Sequence, residues 1–270
     1  MSYARGGSTP LCGTMKMRYI LAFVVLFFPG LIFAQEKYRS DFLYNFDLYR
    51  QDQEQYRINK LSYLDFQSID SKSKAIASQR QVIVSRNLVL KTYFQHLYEQ
   101  LQLSKNDTQD YSQIKQMVDS VIADLDDMNE SIQAIDDLDS LNSFSDLIEE
   151  NRVYYNNLSK LIKDVIYFNK LNKLHLKYGT DIVQKLKEEY GQAEISLYYD
   201  RDLQNSLSSI NSQNEVIVQA IINFPEEELM DERSKSQNSL ITEINDYHNQ
   251  LQNHLRIIQE IITNDFKLNR

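Results

Sequence analysis

Between Tyr111 and Ile135 the apolar side chains fall at Tyr111, Ile114, Val118, Val121, Leu125, Met128, Ile132 and Ile135, in steps of 3, 4, 3, 4, 3, 4 and 3. An α-helix brings every third and fourth residue onto one side, so this stretch carries an unbroken apolar seam that has to be buried against other helices. The remainder of the chain lacks the residues that tight turns and sheets consume. Beyond residue 34 there are two glycines, Gly179 and Gly191, and one proline, Pro225, in a chain of 270 residues. Long helices with few connections are the expected outcome.

The same period recurs on both sides of that stretch. Phe42, Tyr49, Tyr56 and Tyr63 repeat every seven residues, reinforced by Phe46, and predict a helix over 40–67 with Ser40 as its cap. Ile76, Ile83, Leu90, Phe94, Leu97 and Leu101 predict a second over 71–104. The opening seam extends the third to 109–141, where its register slips at Leu138 and Leu141 before a turn at 142–145. A fourth, over 146–190, carries Leu147, Asn151, Tyr154, Leu158, Leu161, Val165, Phe168, Asn172 and His175, with Asp146 and Glu149 as a capping box. Ile162, Ile166, Leu171 and Leu174 widen its stripe beyond a two-stranded seam and suggest neighbours on more than one side. Leu203, Leu207, Ile210, Asn214, Ile217, Ile221 and Phe224 predict a fifth over 193–223. Pro225 followed by three glutamates is a favourable start for a sixth over 226–265. These elements predict an all-α fold, an elongated antiparallel bundle of about six long helices forming one domain over 35–270. Asn87, Asn151, Asn172 and Asn214 occupy seam positions, where a polar group costs stability but fixes register.

Residues 1–34 carry a different message. Lys16 and Arg18 precede an apolar run from Tyr19 to Phe28, Pro29-Gly30 break it, and Leu31-Ile32-Phe33-Ala34 end in a small residue. This is the layout of a secretory signal with its core at 15–34, cleaved after Ala34, and Met15 or Met17 can serve as the start. The alternative is an uncleaved anchor through residues 19–34, although a span normally needs about 20 uninterrupted apolar residues. The single cysteine, Cys12, precedes the run, so the exported chain would hold no disulfide, reactive thiolate or cysteine-bound metal.

Removing Arg5, Lys16 and Arg18 takes the net charge from −9 to −12. Residues 107–150 hold thirteen Asp or Glu and one Lys, and so carry the whole of that excess. An acidic chain without clustered Lys and Arg is a poor fit to nucleic acid or anionic membrane. Two faces are candidates for a protein partner or for self-association. One is acidic, with Asp119, Asp124, Asp126, Asp127, Glu130, Asp136 and Asp137. The other is a basic stripe on the fourth helix, with Lys160, Lys163, Lys170, Lys173 and Lys177, which could meet the acidic face on a neighbouring helix or on a second molecule.

Reactive chemistry has little to build on. Di-iron bundles need Glu three residues before His, and the residues before His96, His175, His248 and His254 are Tyr93, Asn172, Asn245 and Leu251. His248 and His254, six apart, fall on different faces of one helix. The runs Asp124-Leu-Asp126-Asp127 and Asp136-Asp137-Leu-Asp139 lack the glycine turn and closing glutamate of a calcium loop. No phosphate-binding loop or nucleophile elbow is present. The expectation is therefore a non-enzymatic exported protein without cofactor or metal, acting as scaffold, spacer or protein-binding module in the cell envelope (periplasm or cell surface) or outside the cell. The alternatives are an N-terminally anchored sensor or assembly subunit, and beyond that an extracytoplasmic holding chaperone or a helical toxin.

Overall fold

The computed structural model describes residues 36–106, 109–185, 188 and 197–268. The chain divides into two compact units, Met1–Lys37 and Tyr38–Arg270, and the described residues lie almost wholly in the second. The signal segment expected at 1–34 and the connection expected between the helices over 146–190 and 193–223 lie outside them. The described residues are helical, without a strand among them.

The helices are α1 (Glu36–Phe66), α2 (Ile69–Ser104), α3 (Ser112–Ile132), α4 (Leu138–Glu150), α5 (Arg152–Leu174), α6 (Leu197–Ile222) and α7 (Lys235–Leu268). Their relative directions follow from which residues bond across them. Between α1 and α2 the sequence separation of bonded residues falls from 29 (Gln81 to Asp52) to 15 (Asn59 to Lys74), as an antiparallel hairpin requires. Between α2 and α3 it falls from 42 (Asn87 to Asn129) to 35 (Lys91 to Asp126), and between α6 and α7 from 48 to 41 to 30. Two pairs instead hold a constant offset and so run parallel. Gln79–Asn142, Tyr93–Ser159 and Ser104–Asn169 are 63, 66 and 65 apart, setting α4 and α5 alongside α2. Asn157–Gln237, Tyr167–His248 and Asn172–Tyr247 are 80, 81 and 75 apart, setting α7 alongside α5.

The width of the α5 stripe now has its reason, since α5 has α2 on one side and α7 on another. Leu158, Leu161, Ile162, Val165 and Phe168 are fully buried. The opening seam is buried as well, at Tyr111, Ile114, Val118, Val121, Leu125, Met128 and Ile132, in one core shared with α2, α5, α6 and α7. Each such side chain contributes roughly 1.5–3 kcal/mol by leaving water.

Several boundaries differ from the periodicity. The helix expected over 109–141 is two, because Asp137 takes the Ser140 N–H at 2.8 Å and starts α4 afresh. The register slip therefore marks a new helix, whose Leu141 is buried, and residues 142–145 lie inside it rather than forming a turn. Asp146 and Glu149 consequently do not cap a helix; Glu149 pairs with Arg152 at 2.7 Å across the single-residue break at Asn151. Beyond α5 the helix widens into a π-helical turn, His175–Thr180, that contains Gly179, and is α-helical again over 181–185.

The helix expected over 226–265 begins as a 3-10 turn, Glu226–Met230, and resumes at Lys235. Glu228 explains the interruption. Its carboxylate accepts from the Ser236 N–H at 2.7 Å, the Ser236 hydroxyl at 2.8 Å and the Ser234 hydroxyl at 3.0 Å, folding the chain back onto the start of α7. Those bonds also hold the Glu228 pKa below its usual value. Ser40 lies inside α1, which already runs from Glu36, and so is not its first capping residue.

The α1–α2 connection is two residues long. Ser68 and Ser71 cap α2 reciprocally, each accepting the other's N–H at 3.1 Å, while Gln67 carries a left-handed φ of 47°. A side chain is strained in that conformation, so Gln67→Gly is expected to raise stability by roughly 0.5–1 kcal/mol, read as a higher urea midpoint.

Candidate functional site

The acidic residues are mostly engaged within the fold. Asp126 receives Lys91 of α2 at 2.7 Å, and Asp136 pairs with Arg80 of α2 at 3.4 Å. Asp119 pairs with Lys115 one turn away, and Asp137 caps α4. Asp124, Asp127 and Glu130 remain exposed on α3. Among the basic residues, Lys173 donates to the Leu103 carbonyl at 3.0 Å near the end of α2, where a cation suits the helix dipole. Lys163 lies 5.5 Å over the Tyr93 ring. Lys160, Lys170 and Lys177 are exposed. Among the described residues no ion pair joins the α5 stripe to the acidic set, whose cross-helix partners come from α2.

Lys160 and Lys163 do share a cleft of about 260 Å³ between α2 and α5, floored by Tyr93, Phe94 and Tyr155. Arg86 lies one turn away from Leu90 at its margin, with its Nε and one terminal nitrogen buried without a partner. Burial pulls the Arg86 pKa below its usual value, against the attraction of Tyr49, Glu149 and Tyr155. The cleft can seat a single anionic group against aromatic walls. It is smaller than the roughly 300–1,000 Å³ of most ligand pockets.

A second polar cluster is sealed inside. The rings of His175 in the π-helical turn and His254 in α7 lie 6.3 Å apart and are 2% and 0% exposed. The His254 Nε2 faces the Gly179 carbonyl at 3.3 Å, which assigns its proton there and leaves Nδ1 to accept from the Ser206 hydroxyl at 3.0 Å. His175 bonds to Asn211, and its Nδ1 is buried without a partner. Tyr247 closes one side, its hydroxyl donating to Asn172 Oδ1 at 3.3 Å. Gly179 makes the closure attainable, because a Cβ there would stand 2.7 Å from the His175 Nδ1. Burial pushes both histidine pKa values down, with His254 adding a smaller lowering at His175 and the Gly179 carbonyl partly opposing the shift at His254. Among the described residues no group of three His, Cys, Asp or Glu could hold a metal ion. The pair can bind protons, and both rings are closed off from solvent.

The surface that sequence reasoning missed is on α1. Its side toward α2 is half-buried, with Phe42 lying 5.6 Å from the Tyr93 ring. The opposite side leaves large apolar groups in water: Leu43 is 50% exposed, Tyr44 70%, Leu61 48%, Leu64 57% and Phe66 75%, and Phe46 and Ile58 are exposed with them. Leu43, Phe46, Arg50, Glu54, Arg57, Leu61 and Leu64 follow one another at steps of three or four and so share a face. The heptad of Phe42, Tyr49, Tyr56 and Tyr63 masked it, since that stripe alone accounts for a helix packed on one neighbour. Two apolar stripes on one helix were the available signal.

Comparisons with protein families, with curated proteins and with solved structures return no match.

The histidine pair makes stability depend on pH. Both rings titrate below the ordinary 6.5 when folded, so between pH 6.5 and the folded values the unfolded chain binds more protons. The stability is complete above pH 6.5 and is lost as pH falls from there, at up to about 1.4 kcal/mol per pH unit for each ring. His96, half-buried on α2, leans the same way. Carboxylates with depressed values, such as Asp137 and Glu228, lose their contribution only nearer pH 4. Urea midpoints should therefore fall between pH 7 and 5, with a shallower slope in His254→Gln; a flat profile would contradict the assignment.

Proposed function

We propose that this chain is an exported, non-enzymatic helical protein that serves as a scaffold or protein-binding module in the cell envelope or outside the cell, with the outward face of α1 as its contact surface. The observation that carries the reading is the contrast between α1 and the rest of the fold. Helices α2 to α7 bury most of their apolar seam residues, in one large core and a smaller cluster of Val183, Leu203, Ile258 and Ile261, and several of their charged groups pair or cap within the fold. The outward face of α1 leaves leucine and aromatic side chains in water in two groups, one at Leu43 and Phe46 and one at Ile58, Leu61 and Leu64, with Arg50, Glu54 and Arg57 between them. Exposed apolar groups gathered in this way mark interaction sites.

Several polar groups elsewhere have structural work. His175 and His254 are enclosed, Asp126 and Asp136 bond to α2, and Asp137 starts α4. Among the described residues no helix is long and apolar enough to cross a membrane. The export half of the proposal rests on the basic start, apolar middle and small-residue end of residues 15–34.

A photo-crosslinking side chain placed at Phe46 or Leu61, in the chain produced by its own host, tests the proposal, with Asp127 on α3 as the control site. The expected result is a protein adduct from the two α1 sites and none from the control, on a chain whose first residue is Gln35 in the exported fraction. Absence of protein adducts from α1, or recovery of the chain only inside the cell, would overturn it.

A further inference from the structure

The outward face of α1 is complementary to itself when one copy is turned end for end. Leu43 and Leu61 lie equally far from residue 52, and so do Arg50 and Glu54. A two-fold axis at the level of residue 52, perpendicular to two antiparallel α1 helices, therefore sets Leu43 against Leu61 of the second copy, twice. The same axis sets Arg50 against Glu54 of the second copy, also twice, forming a central ring of four alternating charges. Phe46, Ile58 and Leu64 flank this line on either side and are exposed in the single chain.

Arg50 is suited to this use. Glu54 is held by Arg57 at 2.6 Å, and among the described residues Arg50 has no ion-pair partner. A parallel arrangement would instead stack Arg50 on Arg50 and Glu54 on Glu54, so the charges select direction as well as partner. Polar groups centred in an otherwise apolar seam are a known means of fixing register.

We infer that two copies of this chain associate through the outward faces of their α1 helices, packed antiparallel about residue 52, with Arg50 and Glu54 of the two copies interlocked. The inference rests on the reading of this face as a contact surface and names its occupant. The two Glu36 ends then lie roughly 50 Å apart, at about 1.5 Å per residue.

Sedimentation equilibrium of the purified full-length chain between roughly 1 and 100 µM tests it, that range being where interfaces at the small end of the usual size class assemble. A monomer–dimer equilibrium is expected. Each reversal, Arg50→Glu or Glu54→Arg, introduces two like-charge contacts in a two-fold dimer and should weaken association at least about tenfold. The combined swap Arg50→Glu/Glu54→Arg rebuilds the alternating ring and should restore it to within about threefold. Helical circular dichroism should match the parent in all three, because both side chains are exposed. A monomer throughout, association indifferent to the single reversals, or a swap as weak as either single variant would overturn the proposal. Crosslinked adducts from α1 to a different protein, with the chain itself monomeric, would leave the contact surface standing and remove only self-association.

Discussion

One buried amide holds three helices of this fold in register. Asn169 of α5, fully enclosed, accepts the Tyr111 hydroxyl at 2.6 Å and donates to the Ser104 hydroxyl at 3.0 Å, which in turn donates to the Leu101 carbonyl at 2.8 Å. The chain of bonds thus runs from the start of α3 through α5 to the end of α2. Apolar seams make helices associate but are tolerant of sliding by a turn, whereas an unpaired buried hydroxyl or amide costs about 1–3 kcal/mol. A slip of α5 against α2 would orphan the Tyr111 hydroxyl and the Asn169 amide together, leaving Ser104 only its bond to the Leu101 carbonyl. The same logic applies further along α2, where Asn87 meets Asn129 at 2.8 Å and Lys91 meets Asp126. With α2, α3 and α5 fixed, α7 follows through its constant offset from α5, and α6 through its hairpin with α7.

Much of this was legible in the periodicity. The seam from Tyr111 is buried almost along its length, and the broad stripe from Leu158 to Leu171 correctly implied a helix with neighbours on more than one side. Asn87 and Asn172 were singled out at seam positions, and both are buried and bonded. Asn169 was not, because it stands one residue beyond Phe168 and off the two-helix seam. Only the three-helix junction turns that position inward. Boundaries were legible only where capping chemistry agreed with period. Asp137 and Glu228 act through their own carboxylates on backbone and side-chain donors a few residues ahead, and a period count does not weigh such bonds. The candidate acidic face was visible as charge, yet much of it serves to hold α3 and α4, since a period says which side faces outward but not which cation lies across the gap. The exposed stripe on α1 was hidden by a stronger one on the same helix.

The interior and the exterior are specified by different means. Inside, many polar groups are enclosed and matched, others such as the Arg86 Nε and the Asp164 Oδ2 are buried without a partner, and the bare Nδ1 of His175 sits where the helix widens around Gly179. That turn lets a second histidine approach from α7 without a side chain between them. It also makes the junction beyond α5 sensitive to protonation, as His96 does on α2. Outside, α1 lies against α2 along a half-buried stripe and contributes none of the fully buried side chains. A helix held in that way is positioned by the core but free to present its other side, and the account of function follows from this division.

The division depends on register being set by the buried amide, and a double-mutant cycle on Asn169 and Tyr111 tests that most directly. Asn169→Leu should lower the free energy of unfolding in urea by roughly 2–4 kcal/mol, because it leaves the buried Tyr111 hydroxyl without a partner and takes from Ser104 the bond it accepts. Tyr111→Phe should cost about 1 kcal/mol in the parent and nothing, or less than nothing, in the Asn169→Leu background, where it removes an orphaned hydroxyl. If Asn169→Leu changes stability by less than about 0.5 kcal/mol, or if the two substitutions simply add, the amide does not set the register and the account fails at its centre.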